Sequence, residues 1–244
     1  MQKYQKGLVL IGVIGILLAV VIAVYPGSDS TGQETGVVKA SEIEVDTELN
    51  TELQEETDQT AKKIALTFDD GPEEGSTDVL LDGLKERGIK VTFFVIGKCA
   101  EKNPELVKRM DEEGHLVGNH TYSHVDIAHM DDASAIEEIE MTDAIIKKII
   151  GKPTEFVRPP FGAWQENLEQ KMDVIPVMWT VDPLDWTTDN VDEIVNKVVT
   201  KTEDGDIILL HDCYLTSVKA AFRIIDLLSA QGYEFVTVDE LIMN

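Results

Sequence analysis

A repeated alternation of short apolar runs and helical segments, beginning at residue 61, limits the fold more than any other property of this sequence. Several of the apolar runs are rich in Val, Ile and Phe, which is typical of β-strands. These strand candidates cover residues 63–68, 90–96, 115–119, 155–158, 174–181, 206–210 and 233–238. Helix candidates lie between them at 77–87, 104–113, 133–150, 191–201 and 217–231. Strands that alternate with helices predict an α/β fold built on a parallel sheet.

The number of strands narrows the architecture. Seven strands in the 184 residues from 61 to 244 fit a small or distorted (β/α) barrel better than a full eightfold barrel. An open, doubly wound sheet is the alternative that this pattern leaves open.

Polar residues of unusual types follow five of the predicted strands. The pair Asp69–Asp70 follows the first strand, and the sequences GNHTYSH, RPPFG, DPLDW and ILLHD lie at the ends of the third to sixth strands. The carboxyl ends of parallel strands share one face, and α/β proteins bind their ligands there. The Asp, His, Arg and Trp side chains of these motifs are therefore expected at one mouth.

Part of this group has the composition of a metal site. His120 and His124 have the i, i+4 spacing that puts two imidazoles on one face of a helical turn. Two histidines and a carboxylate form a common catalytic set that suits zinc, and Co²⁺, Ni²⁺ and Mn²⁺ are compatible with the same ligands. One aspartate of the pair Asp69–Asp70 would complete the set, and the other would accept a proton from a water that the metal acidifies. The alternative is that these aspartates cap the following Gly-Pro turn.

Four further residues fit hydrolytic chemistry. His211 ends the apolar run IILL and is expected to act as a general acid, although a histidine at a strand end is often a core residue. Asp185 is a candidate partner that would keep His211 protonated. Arg158 suits the binding of a carboxylate by two parallel hydrogen bonds. Trp186 offers a flat apolar wall on which a sugar ring could stack, or an ordinary core side chain.

The ordered motifs TFDDGP, HTYSH, RPPFG, DPLDW and LLH resemble those of the polysaccharide deacetylases, the NodB-homology or carbohydrate esterase family 4 domain. The resemblance covers residues 61–244 and implies a distorted (β/α) barrel that deacetylates N-acetylated sugars with a divalent metal. The site roles that it implies are a catalytic base at Asp69, a residue that orients the base at Arg158, an acid pair at Asp185 and His211, and metal ligands at Asp70, His120 and His124.

The resemblance also implies residues that contact the substrate. Phe161 stands where many family members have Tyr, and its backbone N–H would complete an oxyanion site together with the metal. Trp186 and Leu209 would form the pocket for the acetyl methyl group. Asp182 receives no role.

The first 60 residues predict an anchor and a spacer. Lys3 and Lys6 precede residues 7–25, nineteen residues without a charge, which as a helix would extend about 28 Å and span a bilayer. No clear cleavage site follows, so we expect a retained transmembrane helix ending the segment 1–25, with the amino terminus in the cytoplasm. A cleaved signal peptide is the alternative. Residues 26–60 hold ten acidic residues and a single Lys, which is typical of a disordered extracellular linker.

The charge and the cysteine content of the chain limit its binding partners and its disulfide bonds. The chain has 46 acidic and 21 basic residues, a formal net charge of -25, which disfavours nucleic acid as a partner. The two cysteines, Cys99 and Cys213, are too few for a disulfide framework and are expected to be small buried side chains.

An anchored, outward-facing catalytic domain at 61–244 indicates a cell-wall glycan as substrate. Peptidoglycan N-acetylglucosamine is the first expectation, and a chitin-like oligosaccharide or exopolysaccharide is the second. A catalytically silent glycan-binding module is the alternative from another class, but it would be expected to lack some of the motif residues.

Overall fold

The computed structural model describes residues 61–243. The predicted membrane span at 7–25 and the acidic linker at 26–60 lie outside the described residues. Within 61–243, no helix combines the length and the apolar character that crossing a membrane requires.

Within the described residues, seven strands form one sheet, as the sequence predicts, and every pairing between them is parallel. The strands are β1 (Lys62–Asp69), β2 (Thr92–Val95), β3 (Leu116–Asn119), β4 (Phe156–Val157), β5 (Ile175–Pro176), β6 (Ile207–His211) and β7 (Tyr233–Val236). Their order across the sheet is β5-β4-β3-β2-β1-β6, and β7 pairs with the amino-terminal half of β1. The parallel α/β fold is thereby confirmed.

Seven α-helices connect or follow these strands within the described region. They are α1 (Thr77–Arg87), α2 (Gly97–Lys102), α3 (Pro104–Glu112), α4 (Asp132–Ile150), α5 (Val191–Val199), α6 (Leu215–Ala230) and α7 (Val238–Ile242). The five predicted helices are present. The short helices α2 and α7 were missed because six and five residues carry too little apolar periodicity to be recognised.

The sheet is curled, and its two edges approach each other. The predicted strand at 174–181 is not continuous: β5 pairs with β4, whereas Val181 forms an isolated parallel bridge with Ile208 of β6. The Val177 N–H still donates to Val157 of β4 at 2.8 Å, and the Thr180 N–H already donates to Ile207 at 2.9 Å. Only Met178 and Trp179 lie between these two bonded residues, so the chain passes from one edge of the sheet to the other, which an open, flat sheet would not permit.

The central strand β1 is buried on both of its faces. From Ile64 to Asp69 every residue of β1 is buried. Ala65 clusters with side chains of other strands across the curled sheet, whereas Ile64, Leu66 and Phe68 belong to the apolar cluster that includes the helices. Leu210 on the neighbouring β6 is fully buried in the same apolar cluster. Cys99 and Cys213 are free and partly buried.

We expect the core around β6 to tolerate truncation poorly. Leu210→Ala should lower the free energy of unfolding by about 2–5 kcal/mol, because it leaves a cavity between packed elements. Leu227 on α6 is a matched control, since 43% of it is exposed, and Leu227→Ala should change stability by no more than about 0.5 kcal/mol. Urea denaturation of both variants measures the difference, and equal losses would contradict this description of the core.

Candidate active site

A cleft of about 360 Å³ opens at the carboxyl ends of the strands. Of the ten site residues predicted from the sequence, eight line this cleft, and Arg158 and Asp185 lie behind its wall in contact with lining residues. The lining residues are Asp69, Asp70, His120, His124, Phe161, Trp179, Asp182, Leu184, Trp186, Leu209, His211 and Tyr214.

Asp69 and Arg158 form a buried ion pair at the base of the cleft. Asp69 ends β1 with 2% of its surface exposed, and its Oδ1 accepts a hydrogen bond from Arg158 Nη1 at 2.8 Å. The same Nη1 donates to Thr67 Oγ1 at 2.6 Å. Burial lowers the pKa of Arg158, and the charge of Asp69 counteracts that effect. One oxygen of Asp69 is thereby fixed.

Asp70, His120 and His124 converge on one point of the cleft. Asp70 Oδ1 lies 3.4 Å from His120 Nε2 and 3.3 Å from His124 Nε2. The three ligand atoms all lie within 4.8 Å of one another. Asp70 Oδ1 is buried and has no hydrogen-bond partner among the described residues. A buried carboxylate oxygen left unpaired beside two imidazoles fits a bound divalent cation.

Residues in the left-handed backbone conformation bring these three side chains together. Asp70 has φ 75° and His124 has φ 52°. The expectation that His120 and His124 share a helical turn is wrong, because Thr121 also has φ 63° and the segment bends instead. The Thr121 N–H donates to the side chain of Asn119 at 2.9 Å, which favours a turn over a helix.

Hydrogen bonds and burial prepare the two imidazoles to bind a cation. His120 Nδ1 lies 2.6 Å from the carbonyl oxygen of Arg158, so Nδ1 carries the proton and Nε2 faces Asp70 with a free lone pair. Burial lowers the pKa of His124, which favours the neutral form that binds metals. Burial alone would raise the pKa of Asp70, but its close approach to His120 and the charges of the nearby imidazoles give a net lowering.

His211 and Asp185 form a second hydrogen-bonded pair at the cleft. Asp185 Oδ1 lies 2.8 Å from His211 Nδ1, and Oδ2 accepts the backbone N–H of His211 at 2.9 Å. One carboxylate thus fixes both the position and the ring orientation of His211. Burial opposes the charged form of His211, but the bond to Asp185 and the neighbouring carboxylates raise its pKa to about 9.

Apolar and aromatic side chains form the rim and the wall. Phe161 packs edge-on against His124 with ring centroids 4.9 Å apart, and it has φ 61°. Trp186 is 57% exposed, whereas Leu209 on β6 is buried. Sequence analysis did not select four further wall residues, because single side chains in loops carry no periodic signal; they are Trp179, Asp182, Leu184 and Tyr214.

Asp212 is a buried acid beside the site that sequence analysis also missed. It is 1% exposed, and burial raises the pKa of its carboxyl to about 7. Its Oδ2 accepts a hydrogen bond from Thr77 Oγ1 at 2.5 Å. Its place directly after His211 is the one signal in the sequence that could have pointed to it.

Comparisons with known proteins agree with this geometry. Residues 56–177 match the family model described as polysaccharide deacetylase. The peptidoglycan-N-acetylmuramic acid deacetylase PdaC of Bacillus subtilis is 43% identical over 188 residues, which are 77% of this chain and 40% of that protein. Its solved structure superimposes with a TM-score of 0.73 over 75% of this chain and 90% of that chain.

Two further relatives extend the comparison. The peptidoglycan-N-acetylglucosamine deacetylase PgdA of Listeria monocytogenes is 38% identical over 75% of this chain and 39% of its own length. A family 4 acetyl xylan esterase from Clostridium thermocellum, solved in complex with a cobalt ion, is 34% identical with a TM-score of 0.70 over 75% of this chain and 91% of that chain.

The chain spans about two fifths of the length of PdaC and PgdA. The family match covers half of the chain, residues 56–177, and this range contains the TFDDGP, HTYSH and RPPFG motifs. The chain belongs to the polysaccharide deacetylase family.

Proposed function

We propose that this protein is a metal-dependent hydrolase that removes acetyl groups from N-acetylated sugars of a cell-wall glycan. The observation that carries the proposal is the Asp70–His120–His124 cluster, with Asp69 and His211 lining the same cleft. A carboxylate and a protonated imidazole beside a metal site are the groups that hydrolysis of an amide requires.

Asp70, His120 and His124 would hold the cation, and zinc is our first choice on ligand type. A divalent cation held there would polarise the acetamide carbonyl and make a water more acidic. Co²⁺ is a second candidate, because the related acetyl xylan esterase was solved with a cobalt ion.

Asp69 serves as the base in this proposal. Its Oδ1 is occupied by Arg158, whereas Oδ2 lies 3.7 Å from His120 Nε2 at the metal site. Oδ2 can therefore accept the proton of the attacking water while Arg158 holds the carboxylate in place. The water oxygen then bonds to the acetyl carbon as the carbonyl becomes an oxyanion.

His211 serves as the acid. The proton on its Nε2 passes to the amide nitrogen, the carbon–nitrogen bond breaks, and the products are acetate and a free amine. Asp185 acts as a positioning residue because it contacts His211 through both carboxylate oxygens. The backbone N–H of Phe161 is proposed to donate to the oxyanion, and Trp186 and Leu209 to contact the acetyl methyl group.

Peptidoglycan N-acetylglucosamine is our first choice of substrate. The named activities of PdaC and PgdA both concern peptidoglycan, which supports this class. Asp182 adds a carboxylate to the cleft wall, which disfavours a negatively charged substituent and so favours glucosamine over muramic acid. A chitooligosaccharide is the runner-up, supported by a related chitooligosaccharide deacetylase of Rhizobium leguminosarum.

Mass spectrometry tests the activity and the division of work between the two aspartates. Incubation with peptidoglycan fragments or chitooligosaccharides should remove acetyl groups one at a time. Asp69→Asn should lower the rate by about 10²- to 10⁴-fold with full metal content, because it removes the base and no ligand. Asp70→Ala should lose metal affinity, because it removes one of three ligands.

Excess metal separates the two variants. Added zinc should restore part of the activity of Asp70→Ala and none of that of Asp69→Asn. The opposite result would exchange the two roles, and wild-type protein that binds glycan without releasing acetate would favour the silent binding module.

The rate should fall at high pH. His211 must be protonated to act as an acid, and with its pKa raised to about 9 it loses its proton as the pH rises through that value. A cation bound beside Asp70 would oppose the protonation of His211. The basic limb of the pH–rate profile should therefore lie at or below pH 9. Asp185→Asn removes the interaction that raises this pKa, and its basic limb should move to lower pH. A limb that does not move in a pH–rate profile would contradict the role of Asp185.

We also propose that residues 7–25 anchor the protein in the cell membrane with the catalytic domain outside. Nineteen uncharged residues after Lys3 and Lys6 support this location. Protease added to intact cells should release the catalytic domain. Mature protein that begins after residue 25 would instead indicate a cleaved signal peptide.

A further inference from the structure

Asp212 lies under the turn that carries the proposed base and the proposed metal ligand. The turn comprises Asp69–Glu73, and it leaves β1 with Asp70 in the left-handed region at φ 75°. Non-glycine residues persist there when their surroundings hold them in place. The contacts of Asp212 and its neighbours hold this turn in place.

Asp212 and Thr77 connect the two ends of the turn. At one end, the Asp212 N–H donates to the carbonyl oxygen of Asp69 at 3.4 Å. At the other end, Thr77 Oγ1 accepts the N–H of Glu73 at 2.9 Å and donates its own hydrogen to Asp212 Oδ2 at 2.5 Å. One hydroxyl thus joins the end of the turn to the buried carboxyl.

The middle of the turn rests on the same carboxyl. A Cβ atom at Gly71 would come within 2.1 and 2.2 Å of the two carboxyl oxygens of Asp212, so the space holds nothing larger than glycine. On the other side, the Ile96 N–H donates to the carbonyl oxygen of Gly71 at 3.0 Å. Asp212 therefore contacts the middle of the turn, at Gly71, as well as its two ends.

Burying the carboxyl of Asp212 costs more free energy than burying an apolar side chain of similar size. It is 1% exposed, and its Oδ1 has no hydrogen-bond partner within the described residues. An apolar residue would avoid the cost of burying this oxygen. The side chain keeps the one contact that an apolar residue could not make, which is the bond to Thr77.

We infer that Asp212 and Thr77 are positioning residues that hold Asp69 and Asp70 in register with His120 and His124. They act through the turn and touch neither the substrate nor the cation. This inference rests on the proposed function, since it assigns the turn a metal to hold. We call the bonded pair the Asp212–Thr77 latch.

Thr77→Val tests the latch, because it removes the hydroxyl and nearly preserves the shape. The affinity of the full chain for Zn²⁺ should fall by about 10- to 100-fold, the usual effect of losing an outer contact to a metal site. We expect kcat to fall with it and KM for the glycan to stay unchanged. Competition with a chromophoric chelator measures the affinity without reference to activity.

Two conservative variants test whether the hydrogen bond between Thr77 and Asp212 is what positions the metal ligand. Thr77→Ser retains the hydroxyl and should restore the affinity for Zn²⁺. Asp212→Asn retains an acceptor of the same shape and should lie closer to wild type than to Thr77→Val. An Asp212→Asn variant as weak as Thr77→Val would show that the charge of Asp212 matters and not the bond, which would overturn the latch.

Thr202→Val is the matched control for stability. Thr202 is also a buried threonine, and its Oγ1 donates to the carbonyl oxygen of Val198 at 2.9 Å, in a part of the chain that does not line the cleft. It should lose stability and keep the wild-type affinity for Zn²⁺. Equal affinities and equal kcat values in Thr77→Val and Thr202→Val would overturn the inference.

The remaining outcomes are also decisive. If Thr77→Val does not fold, Asp212→Ala takes its place and is compared with the same control. If the wild type binds Zn²⁺ without releasing acetate, the proposed function fails while the ratio of affinities still decides the latch. Wild-type protein that binds no Zn²⁺ would overturn the latch as a device that positions a metal ligand.

Discussion

The buried ion pair between Arg158 and Asp69 is the interaction on which the rest of this site depends. The Arg158 side chain has no exposed surface, and its guanidinium donates to Asp69, to Thr67 and to the carbonyl oxygens of Val177 and Met178. These contacts join β1, β4 and the segment that crosses between the edges of the sheet. Removing one partner of such a pair typically costs about 3–5 kcal/mol, because the other charge is left buried and unpaired.

Arg158 also positions one of the proposed metal ligands. The carbonyl oxygen of Arg158 accepts the Nδ1 proton of His120, so its side chain orients the proposed base and its backbone orients a proposed ligand. Arg158, directly after β4, therefore links Asp69 at the end of β1 to His120 directly after β3. This coupling explains how a loop-rich site, in which Asp70 and His124 both have positive φ, keeps one geometry.

The sequence predicted the elements that depend on local pattern, namely the seven strands, the five longer helices and the gathering of motifs at the strand ends. It did not predict features that depend on distant contacts. The strand expected at 174–181 breaks because Val181 pairs with Ile208, and no local signal announces that bridge. The histidine motif bends at Thr121 because Asn119 holds its N–H, although the spacing alone suggested a helical turn. Asp212 escaped notice because its partner Thr77 is 135 residues away.

The charges of the cleft explain why two carboxylates can stand side by side at the end of β1. Asp69 is paired with Arg158, and Asp185 is paired with His211, whose raised pKa keeps it charged at neutral pH. Asp70 is left with two imidazoles, of which His124 favours the neutral form because burial lowers its pKa. The buried site is therefore short of positive charge at Asp70 Oδ1, the oxygen without a hydrogen-bond partner in the described region. A divalent cation bound at that point, as proposed, would supply the missing charge, and the two aspartates would then have different partners.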